Sequence, residues 1–550
     1  MDSIQPLEVG IVIDKGSAAA DWQWWLLERL AADDRFCLKA RVVADEEVKP
    51  EVLPVLLNGL LKIDATLFAR TKPFETRQIQ SRIFALPEVQ PAAAMRDQSD
   101  AKPAHAFDVV VRLGAGQLSD EHLRLARFGE WSVRLRGGHD RALDLASLSA
   151  IRHHAESIFL EIAVRQHGCS KPQTIAVADY SPKFSAARTS VYLAEKATLL
   201  MHKSLASLAH TRAITPGEQV SNDTTALPRA PAAGDITAYS WQLTRSVGKR
   251  LSQAFHQRMR QDLDHWHLAL GRGAPETFDA ANATWLDRAE FNMADPFLFQ
   301  HEERLYVFYE SDHGGREKAA ISVGLVENDR LRPLGEVLRC DYHLSYPHVF
   351  RDAGEIYMMP ETQQARRLEI WRCIEFPYCW ERHAVAFEGR QLADSNLVDI
   401  DGTWWLFTNL SDHYAMQDHS SELYLYETDG PDLKKIRPHP LNPVIVGSLQ
   451  ARNAGPIVSA NARVFRPAQM HAYDTYGYGL NICEIERLSR SDYRERIVRR
   501  IRPGFYSGHI GIHHVSFAGG RFVVDLHTTR SLQWHDHQKS GKVERWAASS

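Results

Sequence analysis

No CxxC pair occurs among the six cysteines of this 550-residue chain (Cys37, Cys169, Cys340, Cys373, Cys379, Cys483). That excludes the zinc-ribbon and thioredoxin-like spacings and leaves reduced, structural thiols as the reading. No GxGxxG or Walker A run is present, so neither a Rossmann dinucleotide site nor a P-loop is indicated. The opening MDSIQPLEVGIVID lacks the basic start and long apolar run of a secretory signal. No stretch approaches the roughly 20 apolar residues that cross a bilayer as a helix. The expectation is a cytoplasmic protein that meets its substrate in solution, or at the cytoplasmic face of a membrane through a partner. A large excess of either charge is also missing. The formal net charge is −4 at pH 7, which gives no reason to expect nucleic acid. The basic run at 494–502 (RERIVRRIR) reads as a solvated face. What is there, 44% hydrophobic and 24% charged residues, is the composition of a folded chain of more than one domain.

Residues 9–13 (VGIVI) form a β-branched run of the kind buried in a parallel sheet. Residues 21–30 (DWQWWLLERL) follow with helical spacing and Asp21 at the N-cap position. Residues 38–43, 107–113 and 131–135 read as further strands, and 119–127 and 193–208 as helical. The alternation predicts an α/β domain over 1–208. Residues 213–238, rich in Pro, Thr, Ala and Gly, read as a flexible linker, and 240–268 as a helix docking two domains. Linker and helix together occupy 209–279, and 280–550 form the second domain.

In that second domain five stretches align without a gap: 295–306 (DPFLFQHEERLY), 346–357 (YPHVFRDAGEIY), 394–405 (DSNLVDIDGTWW), 454–465 (AGPIVSANARVF) and 512–523 (IHHVSFAGGRFV). Each has a small, polar or Pro-containing pair, an apolar couple, a polar turn and a second apolar strand. That is a β-hairpin pattern. Its recurrence about every 50–60 residues is the period of propeller blades. The prediction is an all-β five-bladed β-propeller in which the first residue of each repeat stands at the funnel end of an inner strand. Those positions hold Asp295, Tyr346, Asp394, Ala454 and Ile512, with His513 and His514 next.

Two resemblances follow from these motifs. The 9–13 and 107–113 strands and the run 126–142 (ARFGEWSVRLRGGHDRA) make the first domain similar to the amino-terminal domain of the formyltransferase family. Its Arg-Gly-Gly turn is kept at Arg136-Gly137-Gly138, but Arg134 or Leu135 stands where that family has its catalytic His, and His139 lies beyond the turn. Those missing groups would position and deprotonate the attacking amine. A degenerate, inactive scaffold is therefore expected, with a formyl or acyl transferase as the weaker alternative. In the second domain, Asp295-Pro296 resembles the first-blade Asp-Pro of the five-bladed furanosidase-type glycosidases, where the Asp is general base. Tyr346-Pro347 and Asp394-Ser395 depart from that family at the next two blades. The motifs SYPHVF (345–350), IYMMPET (356–362), LVDIDGTWWLF (397–407), HPLNPV (439–444), RPAQ (466–469), YGYGL (476–480), GIHHVS (511–516) and VVDL (523–526) resemble, in order, the amino-terminal propeller domain of the glucosamine inositolphosphorylceramide transferase family. This resemblance covers most of 290–530 and implies a role in glycan or glycolipid assembly.

A saccharide is held by planar amides, carboxylates and guanidinium groups with an aromatic face beneath it. Tyr346, His348, Arg452, Arg466, Gln469 and His513 are the candidate substrate-binding residues. Trp404 and Trp405 are further stacking candidates, and Arg466 is suited to clamping a phosphate. Asp295 as base or nucleophile and Glu361 as acid supply the carboxyl pair of glycosidic chemistry, with Asp394 tuning both. No cofactor is expected; a divalent metal at His513, Asp295 and Asp394 is the alternative. The function expected is that of a carbohydrate-active protein acting on a glycosidic bond, by transfer or hydrolysis, in the propeller funnel. Its partners would be a saccharide, sugar nucleotide or glycolipid and membrane-associated glycan assembly proteins. A non-catalytic glycan-binding or assembly module is the alternative.

Overall fold

The computed structural model describes residues 5–13, 21–44, 55–69, 77–89, 105–113, 116–135, 143–169, 171–214, 233–258, 264–286, 292–312, 318–410, 416, 418–506 and 508–529. Its first sheet has seven strands: β1 (Leu7–Ile13), β2 (Phe36–Val43), β3 (Glu88–Val89), β4 (Val109–Arg112), β5 (Glu130–Leu135), β6 (Ile158–Arg165) and β7 (Gln173–Tyr180). They lie in the order β3-β2-β1-β4-β5-β6-β7. The first five are parallel; β6 runs antiparallel to β5, and β7 antiparallel to β6. Parallel neighbours need crossovers; α1 (Asp21–Ala31) supplies the one between β1 and β2, and α2 (Val55–Phe68) and α3 (Arg77–Phe84) lie between β2 and β3. All four residues of β4 are buried, as expected for a strand covered on both faces. Two further helices, α4 (Leu143–Arg152) and α5 (Ala186–Thr211), follow. Ser185 caps α5, accepting from the Arg188 N–H. Leu193, Leu200, Met201 and Leu205 of α5 share a core with Val9, Ile11, Val109 and Leu160 of the sheet. Arg134 lies on β5 opposite Glu161. The turn 136–138 and His139 fall outside the described residues, as do 215–232 of the expected linker.

The docking helix is α6 (Ala233–Arg258) and ends earlier than the sequence pattern indicated. Residues 264–272 form a strand instead, β8 (Asp264–Arg272), followed by β9 (Thr284–Trp285). Alternating His265, Trp266, His267 and Leu268 fit a period of two as well as a helix, and pairing with the chain's last strand decides between them.

Five sheets of four or five strands then follow. Blade 1 is β10 (Asn292–His301), β11 (Arg304–Asp312), β12 (Ala320–Glu327) and β13 (Arg330–Leu338). Blade 2 is β14 (Ser345–Asp352), β15 (Glu355–Glu361), β16 (Leu368–Glu375) and β17 (Cys379–Ala386). Blade 3 is β18 (Leu392–Ile400), β19 (Thr403–Leu410), β20 (Glu422–Thr428) and β21 (Ile436–Pro438), with β22 (Ile445–Val446) also on β20. Blade 4 is β23 (Val458–Ala460), β24 (Arg463–Ala472), β25 (Thr475–Leu488) and β26 (Tyr493–Ile501). Blade 5 joins β27 (His509–Gly511), β28 (Val515–Ala518) and β29 (Arg521–Thr529) to β8 and β9. β29 pairs with β8 along its whole length, from Arg521 opposite Arg272 to Thr529 opposite Asp264. A strand that precedes blade 1 thus completes the last blade, so the propeller begins at 264 rather than 280. This closure leaves no open end between the first and last blades.

Five apolar seams match five blades. Phe297, Phe299, Val349 and Met358 fill the seam between blades 1 and 2. Met359, Leu397, Leu406 and Tyr426 fill that between 2 and 3, and Trp405, Phe407, Leu425 and Tyr493 that between 3 and 4. Phe465, Ile482, Val515 and Phe522 join 4 to 5, and Leu268, Leu298, Val307 and Val523 close the ring from 5 to 1. The alternation of Trp405, Leu406 and Phe407 between two seams is the strand's period of two.

The α/β layer is docked on blades 3 and 4. Tyr192 Oη donates to Asp418 Oδ2 (2.9 Å), Lys196 Nζ meets Glu422 Oε1 (2.7 Å) and Ser181 N donates to Ser448 Oγ (3.1 Å). Asp474 N, in the β24–β25 turn, donates to Ser181 Oγ (3.1 Å).

Candidate active site in the propeller funnel

Inner strands β10, β14 and β18 share one irregularity. Their pairing skips between Ala294 and Phe297, between Ser345 and His348, and between Ala393 and Asn396. At these bulges Asp295, Tyr346 and Asp394 have φ values of 49°, 46° and 44°. Side-chain-bearing residues hold that left-handed conformation only where their surroundings fix it. Here a carboxylate of the preceding blade takes each N–H that the bulge frees from the ladder. Asp295 N donates to Asp525 Oδ2 (3.1 Å), Tyr346 N to Asp295 Oδ2 (3.2 Å) and Asp394 N to Glu361 Oε2 (3.1 Å). Blade 4 has Gly455 at φ 136°, where an added Cβ would stand 1.9 Å from the Val515 carbonyl oxygen, so only glycine fits.

One side of the funnel is acid and imidazole. Asp525 is fully buried on β29 and accepts from the N–H groups of Asp295, His513 (3.1 Å) and His514 (2.9 Å). Its Oδ2 lies 2.6 Å from His513 Nδ1, and His513 Nε2 lies 3.5 Å from Asp295 Oδ1. His513 thus stands between two carboxylates. Burial disfavours its charge, but Asp525 and Asp295 outweigh burial and raise its pKa to about 9. Burial likewise opposes ionisation of Asp295, yet His513, His514 and Arg452 pull its pKa down to about 2. Trp266 packs on His513 with ring centroids 4.1 Å apart.

The other side is acid and guanidinium. Arg452 Nε donates to Asp394 Oδ2 (2.6 Å), and the same oxygen accepts from Gln469 Nε2 (2.9 Å). Glu361 Oε2 is 3.9 Å from the Arg452 guanidinium. Burial first, and the neighbouring Asp394 second, push the Glu361 pKa from 4.5 to about 8. At neutral pH the funnel therefore holds an ionised Asp295 and a protonated Glu361. Tyr476 stands half-exposed between the two sides. The Arg452 guanidinium lies 5.2 Å from its ring centroid and the His513 ring 5.4 Å away.

Asp295, His513 and Asp525 offer ligand atoms within 4.8 Å of one another. The Asp525 oxygens already accept from three backbone N–H donors. Asp394, proposed from sequence as a third ligand, is paired with Arg452 instead.

Of the sequence-derived residues, Asp295, Glu361, Asp394, Arg452, Gln469 and His513 come together here. Five aromatic or cationic candidates do not. Arg466 is fully buried and turned toward the outer edge of blade 4. Its Nε and Nη2 bind the Glu495 carboxylate (2.8 and 2.5 Å), Nη1 binds Asn453 Oδ1 (3.1 Å) and Nη2 the Gln450 carbonyl (2.7 Å), so it is a structural brace. Tyr346 is also fully buried. Its hydroxyl donates to the Gly455 carbonyl (3.0 Å) and accepts from Gly455 N (2.9 Å) and Asn396 Nδ2 (2.9 Å), so the side chain spans from blade 2 to blade 4. Its ring packs edge-on against Phe297 and His514, which closes the channel below the acids and leaves no face for stacking. His348 lies below that plug, with Nε2 donating to the Leu397 carbonyl (3.0 Å) and burial lowering its pKa to about 4. With Trp404 it lines a cavity of about 480 Å³ at the hairpin end of the inner strands, away from the acids. Trp405 is buried in the seam between blades 3 and 4.

Asp525, Trp266 and Tyr476 are not among the sequence-derived site residues; the sequence reads Asp525 as pairing with a blade neighbour. Asp525 sits in the VVDL motif, where an acid inside an apolar strand was the available signal. The signal for Trp266 was hidden by its assignment to a helix.

Fold and site together define a five-bladed β-propeller with buried carboxylates at its inner-strand bulges, gathered around one funnel. Residues 277–502, wholly within the propeller, match the family described as "Glucosamine inositolphosphorylceramide transferase 1, N-terminal". Proteins named glucosamine inositolphosphorylceramide transferase 1 from Oryza sativa subsp. japonica and Arabidopsis thaliana are 33% identical over 207 residues and 34% over 210. Those alignments cover 37% of this chain and only 27% and 26% of the plant proteins, so the chain spans about a quarter of the length of the relatives it matches. Among solved structures, a family 117 glycoside hydrolase from Zobellia galactanivorans is 11% identical over 51% of this chain and 96% of its own, with a TM-score of 0.32. An exo-β-1,3-galactanase from Clostridium thermocellum is 10% identical over 42% of this chain and 59% of its own, with a TM-score of 0.31.

Proposed function

We propose that the funnel binds a saccharide of a glycolipid or nucleotide-linked donor and acts on its glycosidic bond in glycan or glycolipid biosynthesis. The observation that carries this reading is the opposite displacement of two carboxyls in one funnel, Asp295 down to about 2 and Glu361 up to about 8. Groups whose environments drive their pKa values apart are matched to base and acid roles. Asp295 serves as base or nucleophile, oriented by Tyr346 N and by the His513–Asp525 pair. Glu361 serves as the acid that protonates the leaving oxygen. Asp394 holds Glu361 protonated and is itself held by Arg452 and Gln469. Tyr476 offers the aromatic face on which a sugar ring stacks. The plant relatives' names, glucosamine inositolphosphorylceramide transferase, favour a glycolipid acceptor and a nucleotide-sugar donor.

The test is turnover of radiolabelled nucleotide sugars, with and without phosphoinositol-containing lipid acceptors, by the wild type, Asp295→Asn and Glu361→Gln. Folded variants that lose activity by about 10²-fold or more support the assignment; a variant retaining full activity overturns the role of that residue. The second reading, a glycan-binding module, draws on the structural work of the same acids, which hold the bulge amides. It predicts saccharide binding by calorimetry that survives both substitutions, with no turnover by the wild type.

A further inference from the structure

Helix α6 is amphipathic twice over. One face carries Ile236, Tyr239 and Leu243 into the apolar cluster formed with Leu57 and Leu61 of α2 and Leu145 and Leu148 of α4. Tyr239 Oη donates to the buried Asp64 carboxylate of α2 (2.6 Å). A second face, about a third of a turn away, carries Trp241, Leu251 and Phe255, which are 62%, 66% and 61% exposed. At 3.6 residues per turn these three fall within an arc of about 80°. Helix α2 repeats the pattern: Leu56, Ile63 and Leu67 are exposed on one side, within about 40° of arc. The two helices adjoin near their C-terminal ends, where Phe68 packs on Phe184 (5.3 Å) and Arg250 of α6 stacks over that same Phe184 (4.2 Å). Large apolar side chains clustered at such exposure mark an interaction surface.

Charge selects the occupant. Arg245 is exposed beside the α6 stripe, and Lys249 and Lys62 are exposed further round α6 and α2. Among the described residues of α2 and α6 the acids are Asp64, which is buried, and Asp235, which is paired with Arg152. A second copy across a two-fold axis would set cation against cation, whereas an anionic bilayer satisfies both the basic flank and the aromatic stripe. No described helix is long and apolar enough to cross a membrane, so the helices would lie on it. Position supports the same occupant. Arg250 binds Asp474 (2.6 Å) in the β24–β25 turn, beside the exposed Tyr473 and two residues before Tyr476 of the funnel. We infer that α6 and α2 dock the protein in plane on an anionic phospholipid surface, with the funnel mouth beside the headgroups. The inference stands on this helical face and not on the funnel chemistry.

The experiment is co-sedimentation of the full chain with vesicles of phosphatidylcholine alone or mixed equally with phosphatidylglycerol. The wild type should pellet with the anionic vesicles and remain in solution with the neutral ones. The triple substitution Trp241→Ser, Leu251→Ser, Phe255→Ser should weaken partitioning roughly 100-fold without shifting the melting curve, since all three side chains are exposed. Arg245→Gln with Lys249→Gln should weaken it roughly 25-fold, from the attraction of two basic side chains. Asp295→Asn should bind vesicles as the wild type does, so a failure of the catalytic reading and a failure of this one are read separately. Three results overturn the inference: a wild type that stays in the supernatant with anionic vesicles, a triple variant that partitions unchanged, or a concentration-dependent dimer in light scattering that the triple variant dissolves.

Discussion

Replacing Glu361 by Gln removes a titration that works against folding. Burial, then the Asp394 carboxylate, move this group from 4.5 to about 8. A group raised in the folded state contributes stability below its unfolded value and loses it as pH climbs toward the folded one. Between pH 4.5 and 8 the native protein must therefore keep a proton that the unfolded chain gives up. At about 1.4 kcal/mol per unit, the native state is disfavoured by almost nothing near pH 4.5, by about 2 kcal/mol at pH 6 and by about 4 kcal/mol at pH 8. Gln has the shape of the protonated acid. Its carbonyl can keep accepting from Asp394 N, and its amide can donate toward Asp394 as the acid's proton does. The variant should be more stable than the wild type, with a gain in Tm that grows from near zero at pH 4.5 to on the order of 10 °C at pH 8. Thermal melts by circular dichroism across that range measure it. A gain independent of pH, or a loss at pH 8, would refute the reasoning, because either means that the carboxyl is ionised in the native funnel.

Arg466→Ala should destabilise the fold by about 3–5 kcal/mol in urea titrations by leaving the buried Glu495 unpaired, while saccharide affinity at low temperature stays within twofold of wild type. Tyr346→Phe removes the bonds that tie blade 2 to Gly455 and Asn396; each buried partner left unsatisfied costs about 1–3 kcal/mol, and the midpoint of chemical unfolding should fall accordingly. Asp525→Asn takes away the larger of the two charges that hold His513 protonated, so the imidazole pKa, followed by NMR, should drop from about 9 toward 7 or below.

How much of this was legible beforehand follows from the physics of each residue. The hairpin repeat survives in sequence because every blade buries its two innermost strands in the same seams, and that imposes the same apolar couple at each turn of the ring. The positions of Asp295 and Asp394 were readable for a related reason: the bulge recurs at the same place in the repeat, so its occupants line up. Arg466 and Gln469 show the limit. They sit three apart on β24 and so face opposite sides; which side meets the funnel depends on Glu495 on β26, a partner that spacing alone does not identify. Tyr346 was misread because the sequence gives a residue's place on its own strand but not how far its side chain reaches across the channel. β8 was misread because a nine-residue stretch with mixed periodicity takes its state from the strand it pairs with, about 250 residues away.

The pairing of β8 with β29 has a consequence for when the site comes into being. Trp266, the residue that steadies the His513 ring, belongs to the early strand, whereas His513 and Asp525 belong to the final blade. A nascent chain can stack its first four blades and still have no organised imidazole, because that requires contact between segments at opposite ends of the propeller, the slowest kind to form. Clasping the ring and ordering the imidazole between its two carboxylates are thus a single late event, and a partly wound propeller would lack an organised funnel.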